Sequence, residues 1–175
     1  DVVGLSKNGV NNAVANLGTS LTDKQILTLN QFFDDIIICF DGDESGYKAA
    51  LRAAENSIKE LKPEKQISFL FLPDGEDPDS FVKKNGKEKF LEYSDDNKIQ
   101  IHKFIFNHYL NNSKKTPTEL AMIEKKLKIL SNSIEDSIVK KYVLGYFLDQ
   151  LSNLLPFKIN INNKNYKTTN KKSLE

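Results

Sequence analysis

The stretch CFDGDESG, residues 39–46, indicates how the first half of the chain folds. Its first two residues are the last two of the run DIIICF, residues 35–40. Its last two residues begin the segment 45–61, where alanines recur at helical spacing. A β-branched run that is apolar on consecutive residues predicts a central strand buried on both faces. Gly42 allows a sharp backbone turn directly after that strand. The stretch therefore predicts a strand, a tight turn and a helix, the repeating parts of an α/β fold.

The alternation of strand and helix continues on both sides of this stretch. Residues 12–16 form a short apolar segment, residues 21–33 have apolar side chains at helical spacing after a possible N-cap at Thr22, and residues 66–72 form a second apolar run. The order β-α-β-α-β predicts a parallel sheet with right-handed crossovers. After Pro73 no further strand is expected. The sequence predicts four helices there, at residues 80–93, 99–110, 117–131 and 134–155.

These elements divide the chain into three parts. The prediction is an α/β domain with a parallel sheet and flanking helices at residues 1–76, followed by an all-α helical subdomain at residues 77–157. Residues 158–175 are mostly Asn, Lys and Thr and bury too little apolar surface to order themselves. We expect this last part to be a flexible linker or tail.

Composition limits the class of protein. The 175 residues are 39% hydrophobic and 28% charged, which is typical of a globular chain. A single cysteine, Cys39, excludes an internal disulfide framework. The longest apolar run, Ile36 to Phe40, is far shorter than the roughly 20 residues that cross a bilayer. No signal peptide is recognisable, so we expect a cytoplasmic chain with no membrane partner. We also expect this chain to be monomeric.

Charge is distributed unevenly. Residues 34–96 hold 16 acidic and 9 basic residues, whereas lysine predominates over acids in residues 97–175. This pattern indicates a cation site beside a surface that could face phosphate, and solvated faces of ordinary helices remain an equal alternative. Arg52 is the only arginine, so bidentate guanidinium clamps on phosphate are not expected.

Acidic side chains follow both predicted buried strands. Asp41 and Asp43 flank Gly42 after the first strand, and DGEDPD, residues 74–79, follows the second. Open α/β sheets place their sites at the carboxyl ends of strands, so six acids are expected at one edge. Hard carboxylate oxygens select Mg²⁺ or Mn²⁺. Capping of the following helices is the alternative for each single acid. A phosphoacceptor site is a further alternative, although its first-strand acidic pair and strand-end lysine are not visible.

Three segments together resemble a known family. They are residues 1–22, DVVGLSKNGVNNAVANLGTSLT, residues 39–50, CFDGDESGYKAA, and residues 71–82, FLPDGEDPDSFV. Their order and spacing resemble the Toprim core of the bacterial replicative DNA primases, from residue 1 to about residue 155. The DGD segment alone is shared with topoisomerases and other Toprim enzymes. The PDGEDPD segment followed by helices is similar to primases in particular.

The resemblance implies a function and a set of site residues. Members of the family are DNA-directed RNA polymerases that make short RNA primers from ribonucleoside triphosphates on single-stranded DNA. Asp41 and Asp43 match metal-binding catalytic aspartates of the family. Asp77 and Asp79 match further acids that line the metal and nucleotide site, and Asp1 matches the last residue of the E-G-Y-M-D segment. Gly42 is expected to support the backbone turn.

The family also has parts that do not match within these residues. They are the glutamate four residues before Asp1, an N-terminal zinc-binding domain, a basic template-binding lobe and a C-terminal domain that binds the replicative helicase. We therefore expect this segment alone to make no primers. A Toprim topoisomerase or nuclease, and a non-catalytic interaction module with structural acids, remain the alternatives. Bacterial or organellar replication is the expected setting.

Overall fold

The computed structural model describes residues 1–16 and 21–154. Its elements alternate helix and strand at first and are mainly helical later. They are α1 (Val2–Lys7), α2 (Asp23–Phe32), β1 (Asp35–Phe40), α3 (Glu44–Ser57), a 3₁₀ turn (Ile58–Glu60), β2 (Gln66–Phe71), α4 (Pro78–Asn97), β3 (Ile99–Gln100), α5 (Ile101–Asn111), α6 (Pro117–Asn132) and α7 (Ser137–Ser152).

The sheet is small and mixed. β1 and β2 run parallel, in register from Asp35 opposite Gln66 to Phe40 opposite Phe71, and β3 pairs antiparallel with β2. Two sequence predictions are therefore wrong. Residues 12–16 form no strand, and a strand does follow Pro73. β3 has only two residues, too few to show the alternation by which a strand is recognised.

β1 lies at the edge of the described sheet, where a central strand was predicted. Among residues 1–16 and 21–154 it pairs only with β2. Ile36 is buried, whereas Ile37 is 37% exposed. The apolar run predicted burial on both faces, but a run of residues does not state which strands lie beside it. The strand itself and the helix that follows it are as predicted.

Two apolar cores cover the two faces of the sheet. Ile67 and Phe69 of β2 belong to the larger core, and Leu72 just beyond β2 belongs to the smaller one. Side chains alternate between faces along a strand, so these two cores lie on opposite sides. Leu5 of α1 and Phe81 of α4 both belong to the smaller core, through which the two helices pack together.

The larger core extends without interruption into the later helices. It includes Ile105 of α5, Leu127 of α6 and Phe147 of α7, together with the alanine face of α3. The later helices thus pack against the same core as the strands. The division at residue 76 stays a prediction, and residues 158–175 lie outside the described residues.

Helix starts follow from local sequence. The side chains of Thr22 and Thr116 each accept a hydrogen bond from the backbone N–H three residues on, and a Gln or Glu side chain completes a capping box. The N-cap predicted at Thr22 is confirmed. Gly86, at φ 82°, interrupts α4 with a conformation that suits glycine. No helix of the described residues is long and apolar enough to cross a membrane.

Candidate metal site at the carboxyl edge of the sheet

The two acidic loops lie against each other at the ends of β1 and β2. The Leu72 N–H donates to the Phe40 carbonyl over 3.2 Å, which extends the strand pairing by one step. A Cβ atom added at Gly42 would stand 2.1 Å from the Leu72 carbonyl oxygen and 2.7 Å from that of Pro73. Only a residue without a side chain allows this approach. The structure therefore brings residues 41–43 directly beside the loop that carries residues 74–79.

Asp43 caps the helix that follows the first loop. Its Oδ1 accepts a hydrogen bond of 2.6 Å from the Gly46 N–H at the start of α3. A Cβ at Gly46 would lie 2.4 Å from the Asp41 carbonyl oxygen, so this turn is closely packed as well. The capping interpretation is confirmed for Asp43. It uses only Oδ1 in the described hydrogen bonds, and an aspartate has a second oxygen that can accept or ligate.

Asp77 caps α4 in the same way. Its Oδ1 accepts from the Ser80 N–H over 2.7 Å, and its own N–H donates to Ser80 Oγ over 3.0 Å. The hydrogen bond from the Ser80 backbone is the main reason that the pKa of Asp77 lies below its ordinary value.

Asp79 and Glu76 are paired with lysines of α4. Lys83 Nζ lies 2.5 Å from Asp79 Oδ2, and Lys84 Nζ lies 2.8 Å from Glu76 Oε1. Ser80 Oγ also donates to Glu76 Oε2 over 2.7 Å. The hydrogen bonds from Lys84 and Ser80 lower the pKa of Glu76, while the pairing raises the pKa of each lysine.

The other oxygen of Asp79 is buried without a partner. Asp79 Oδ1 has no hydrogen bond within the described chain and is shielded from solvent. It faces α1 so closely that a Cβ added at Gly4 would stand 1.5 Å from it. Burial of a carboxylate oxygen without a hydrogen bond is unfavourable, so this contact with α1 costs stability.

Asp41 differs from these acids because its carboxylate has no described partner. It is exposed, and its carboxylate forms no hydrogen bond or ion pair among residues 1–16 and 21–154. Its negative charge adds to burial in raising the pKa of the neighbouring Cys39 thiol to about 12. Cys39 is thus a protonated, partly covered side chain of the smaller core, as its apolar surroundings predicted.

The acids share one edge but do not form a closed cage. Within the described part of the chain, no three His, Cys, Asp or Glu side chains stand close enough together to hold a metal ion. The donor set nevertheless fits a hard cation, because Asp41 is free and Asp43 and Asp77 each keep an oxygen. The metal ligand set predicted from sequence stays a prediction.

Sequence reasoning missed three residues of this edge. Lys83 lies four residues after Asp79 on a helix, a spacing that predicts an ion pair and could have been read directly. Lys84 pairs with Glu76 across the start of α4, which sequence spacing does not reveal. Gly4 meets Asp79 only because α1 packs on α4, and no local pattern contains that contact.

Comparison with known proteins connects this geometry to a family. Residues 1–71 match the model of the Toprim domain. Over 98% of its length the chain is 37% identical to the DNA primase of Haemophilus influenzae, of which it covers 30%. The chain thus spans less than a third of this relative. The fold is also similar to the Escherichia coli primase catalytic core, with a TM-score of 0.81, 34% identity, and coverage of 91% of this chain and 50% of that one.

A further similar structure contains DNA. The structure of the DnaG primase catalytic domain bound to single-stranded DNA has a TM-score of 0.78 and 34% identity, covering 85% of this chain and 48% of that one. These likenesses confirm the resemblance to the bacterial DNA primases and the Toprim-like α/β fold. The sheet is mixed rather than purely parallel.

Proposed function

We propose that this chain, which belongs to the Toprim-containing bacterial DNA primases, supplies the metal-binding edge for RNA primer synthesis on single-stranded DNA. The observation that carries the proposal is the contact of the two acidic loops at Gly42, which brings Asp41 and Asp43 beside the loop of Asp77. Primer synthesis joins the 3′-hydroxyl of one ribonucleotide to the α-phosphate of the next and releases pyrophosphate. Such a reaction develops negative charge that an acidic protein edge alone would repel.

Divalent cations, Mg²⁺ or Mn²⁺, supply the missing positive charge when bound, by polarising the phosphate and lowering the pKa of the hydroxyl. Asp41 and Asp43 would hold such an ion, with the second oxygen of Asp77 supporting it. The caps at Asp43 and Asp77 fix these carboxylates on the first turns of α3 and α4. The chain thereby orients the ligands before any nucleotide arrives, and fixed geometry of this kind is a large part of catalysis.

The third carboxylate of a closed site is assigned by the family pattern to the glutamate four residues before Asp1. Support comes from the position of α1, whose Gly4 lies against the Asp79 carboxylate. Residues that lead into α1 would therefore approach the same edge. Ribonucleoside triphosphates, the template strand and the replicative helicase are the partners we assign to the whole protein, in the bacterial cytoplasm or an organelle.

Replacement of Asp41 or Asp43 by Asn in the full-length protein tests the proposal. Each variant removes one anionic ligand with little change of shape, and we expect primer synthesis to fall at least about 100-fold. Asp136→Asn is the matched control, because Asp136 caps α7 through the same kind of hydrogen bond and lies outside both acidic loops. Near-parental synthesis by Asp41→Asn and Asp43→Asn, with unchanged Mg²⁺ dependence, would contradict the proposal.

A further inference from the structure

Two acids of this edge already have positive partners within the protein. Asp79 is paired with Lys83 at 2.5 Å and Glu76 with Lys84 at 2.8 Å. The carboxylates are largely covered, with side chains 28% and 17% exposed, whereas the lysines reach into solvent. A lysine in contact with a covered carboxylate neutralises much of the negative charge that this carboxylate would otherwise offer to another cation.

Asp79 is also held from its other side. Its Oδ1 is buried against the Gly4 backbone, while its Oδ2 contacts Lys83. Gly4 belongs to α1, which is anchored on α4 through the smaller core. The carboxylate is therefore confined between a helix backbone and a lysine, and rotation toward the loop of Asp41 would give up the ion pair with Lys83.

The remaining acids have no such lysine. Among residues 1–16 and 21–154, no lysine forms an ion pair with Asp41, Asp43 or Asp77. Asp43 and Asp77 cap helix N-termini, and the charge of Lys83 acts on Asp77 without an ion pair between them. Uncompensated negative charge is thus concentrated on Asp41, Asp43 and Asp77. Two neighbours on the same edge are neutralised, namely Glu76 and Asp79, although the family pattern also assigns Asp79 to the metal site.

We propose that Lys83 and Lys84 are internal counter-cations that withdraw Asp79 and Glu76 from metal binding and leave a divalent ion to Asp41 and Asp43. This inference rests on the proposed function, which supplies the ion. Lys83 and Lys84 are positioning residues in this role, since they act through the carboxylates. An edge with so few available ligands binds a cation weakly by itself. Mg²⁺ is commonly held by one or two carboxylates together with substrate phosphates, so the phosphates of the arriving triphosphate would complete the coordination of the ion.

A Mn²⁺ titration of the 175-residue chain tests this inference without any activity assay. Binding is measured as the loss of the EPR signal of free Mn²⁺. Lys83→Met frees the charge of Asp79, and we expect Mn²⁺ to bind roughly fivefold more tightly. Lys83→Arg keeps the charge and should bind like the parent. The matched control is Lys89→Met, which breaks the 2.8 Å pair of Lys89 with Glu92 on the same helix and changes the net charge equally. It should leave Mn²⁺ affinity within twofold of the parent.

Two Asn variants separate the inference from the function on which it rests. Asp79→Asn should bind Mn²⁺ within twofold of the parent, whereas Asp41→Asn should bind at least tenfold more weakly. If Asp79→Asn loses as much affinity as Asp41→Asn, Asp79 is a ligand and the inference is wrong while the proposed function stands. Equal gains in Lys83→Met and Lys89→Met would also overturn it, because they would reflect net charge alone. A parent chain with no measurable Mn²⁺ binding at millimolar concentration would overturn both, and thermal melting of each variant confirms that it is folded.

Discussion

Replacing Gly42 with alanine should push the two acidic loops apart and destabilise the chain. The new Cβ would stand 2.1 Å from the Leu72 carbonyl oxygen, and real Cβ contacts essentially never fall under 3.0 Å. One backbone must therefore move by about 0.9 Å, because neither neighbour is a flexible side chain. Forced overpacking of this kind costs about 2–3 kcal/mol. In a chain of this size that corresponds to a melting temperature lower by about 4–12 °C.

Thermal unfolding followed by far-ultraviolet circular dichroism measures this effect. Gly145→Ala is the matched control, because a Cβ at Gly145 in the middle of α7 meets nothing within 4 Å. It should raise stability by about 0.5–1 kcal/mol, since alanine favours a helix over glycine. A Gly42→Ala variant that melts within about 1 °C of the parent would be indistinguishable from it in stability. That result would refute the reasoning about the loop contact.

The same substitution should affect chemistry more than it affects stability. Displacement of catalytic groups by about 1 Å can cost about 100-fold in rate. We therefore expect full-length protein with Gly42→Ala to lose most primer synthesis at temperatures where circular dichroism still shows it folded. Full activity in a folded variant would mean that the separation of Asp41 from the second loop is not important for the reaction.

Three further outcomes are expected. The pKa of Asp77 is lowered in the folded chain, so the contribution of Asp77 to stability is present above its unfolded pKa and is lost as pH falls. Below about pH 4 the unfolding free energy should therefore depend less steeply on pH in Asp77→Asn than in the parent. The Cys39 thiol, with a pKa of about 12, should react with a disulfide reagent at about pH 8 only slowly in the native chain and rapidly in urea, and equal rates would contradict its burial. Asp136→Ala removes both hydrogen bonds of the α7 cap and should cost about 1 kcal/mol in urea unfolding, whereas no change would mean that solvent caps the helix equally well.

The candidate site was predictable in its residue types and only partly in its geometry. Strand ends followed by Asp41, Asp43 and the 74–79 loop placed the acids at one edge, since parallel strands end on the same side. The capping of α3 by Asp43 and of α4 by Asp77 was an explicit alternative, and the structure shows it. The roles are compatible because a cap occupies one oxygen of a carboxylate.

The errors in the fold also have physical reasons. The strand predicted at residues 12–16 rested on a few apolar residues, and a short apolar run does not distinguish a strand from an irregular segment. The strand Ile99–Gln100 forms because antiparallel pairing with Phe69 satisfies its backbone, and that partner is distant in sequence. Local pattern has no information on either point.

The sequence by itself determined the order of the main helices and strands, the caps, the glycine turn and the presence of acids after two strands. These features depend on neighbours within a few residues, where periodicity, capping and turn preferences act. Only the tertiary structure decided which acids are compensated, because Lys84 reaches Glu76 around the start of α4 and Gly4 meets Asp79 through the packing of α1 on α4. It also decided that Gly42 lies against Leu72. Such contacts join segments far apart along the chain, and their energy depends on distances that exist only once both cores have formed.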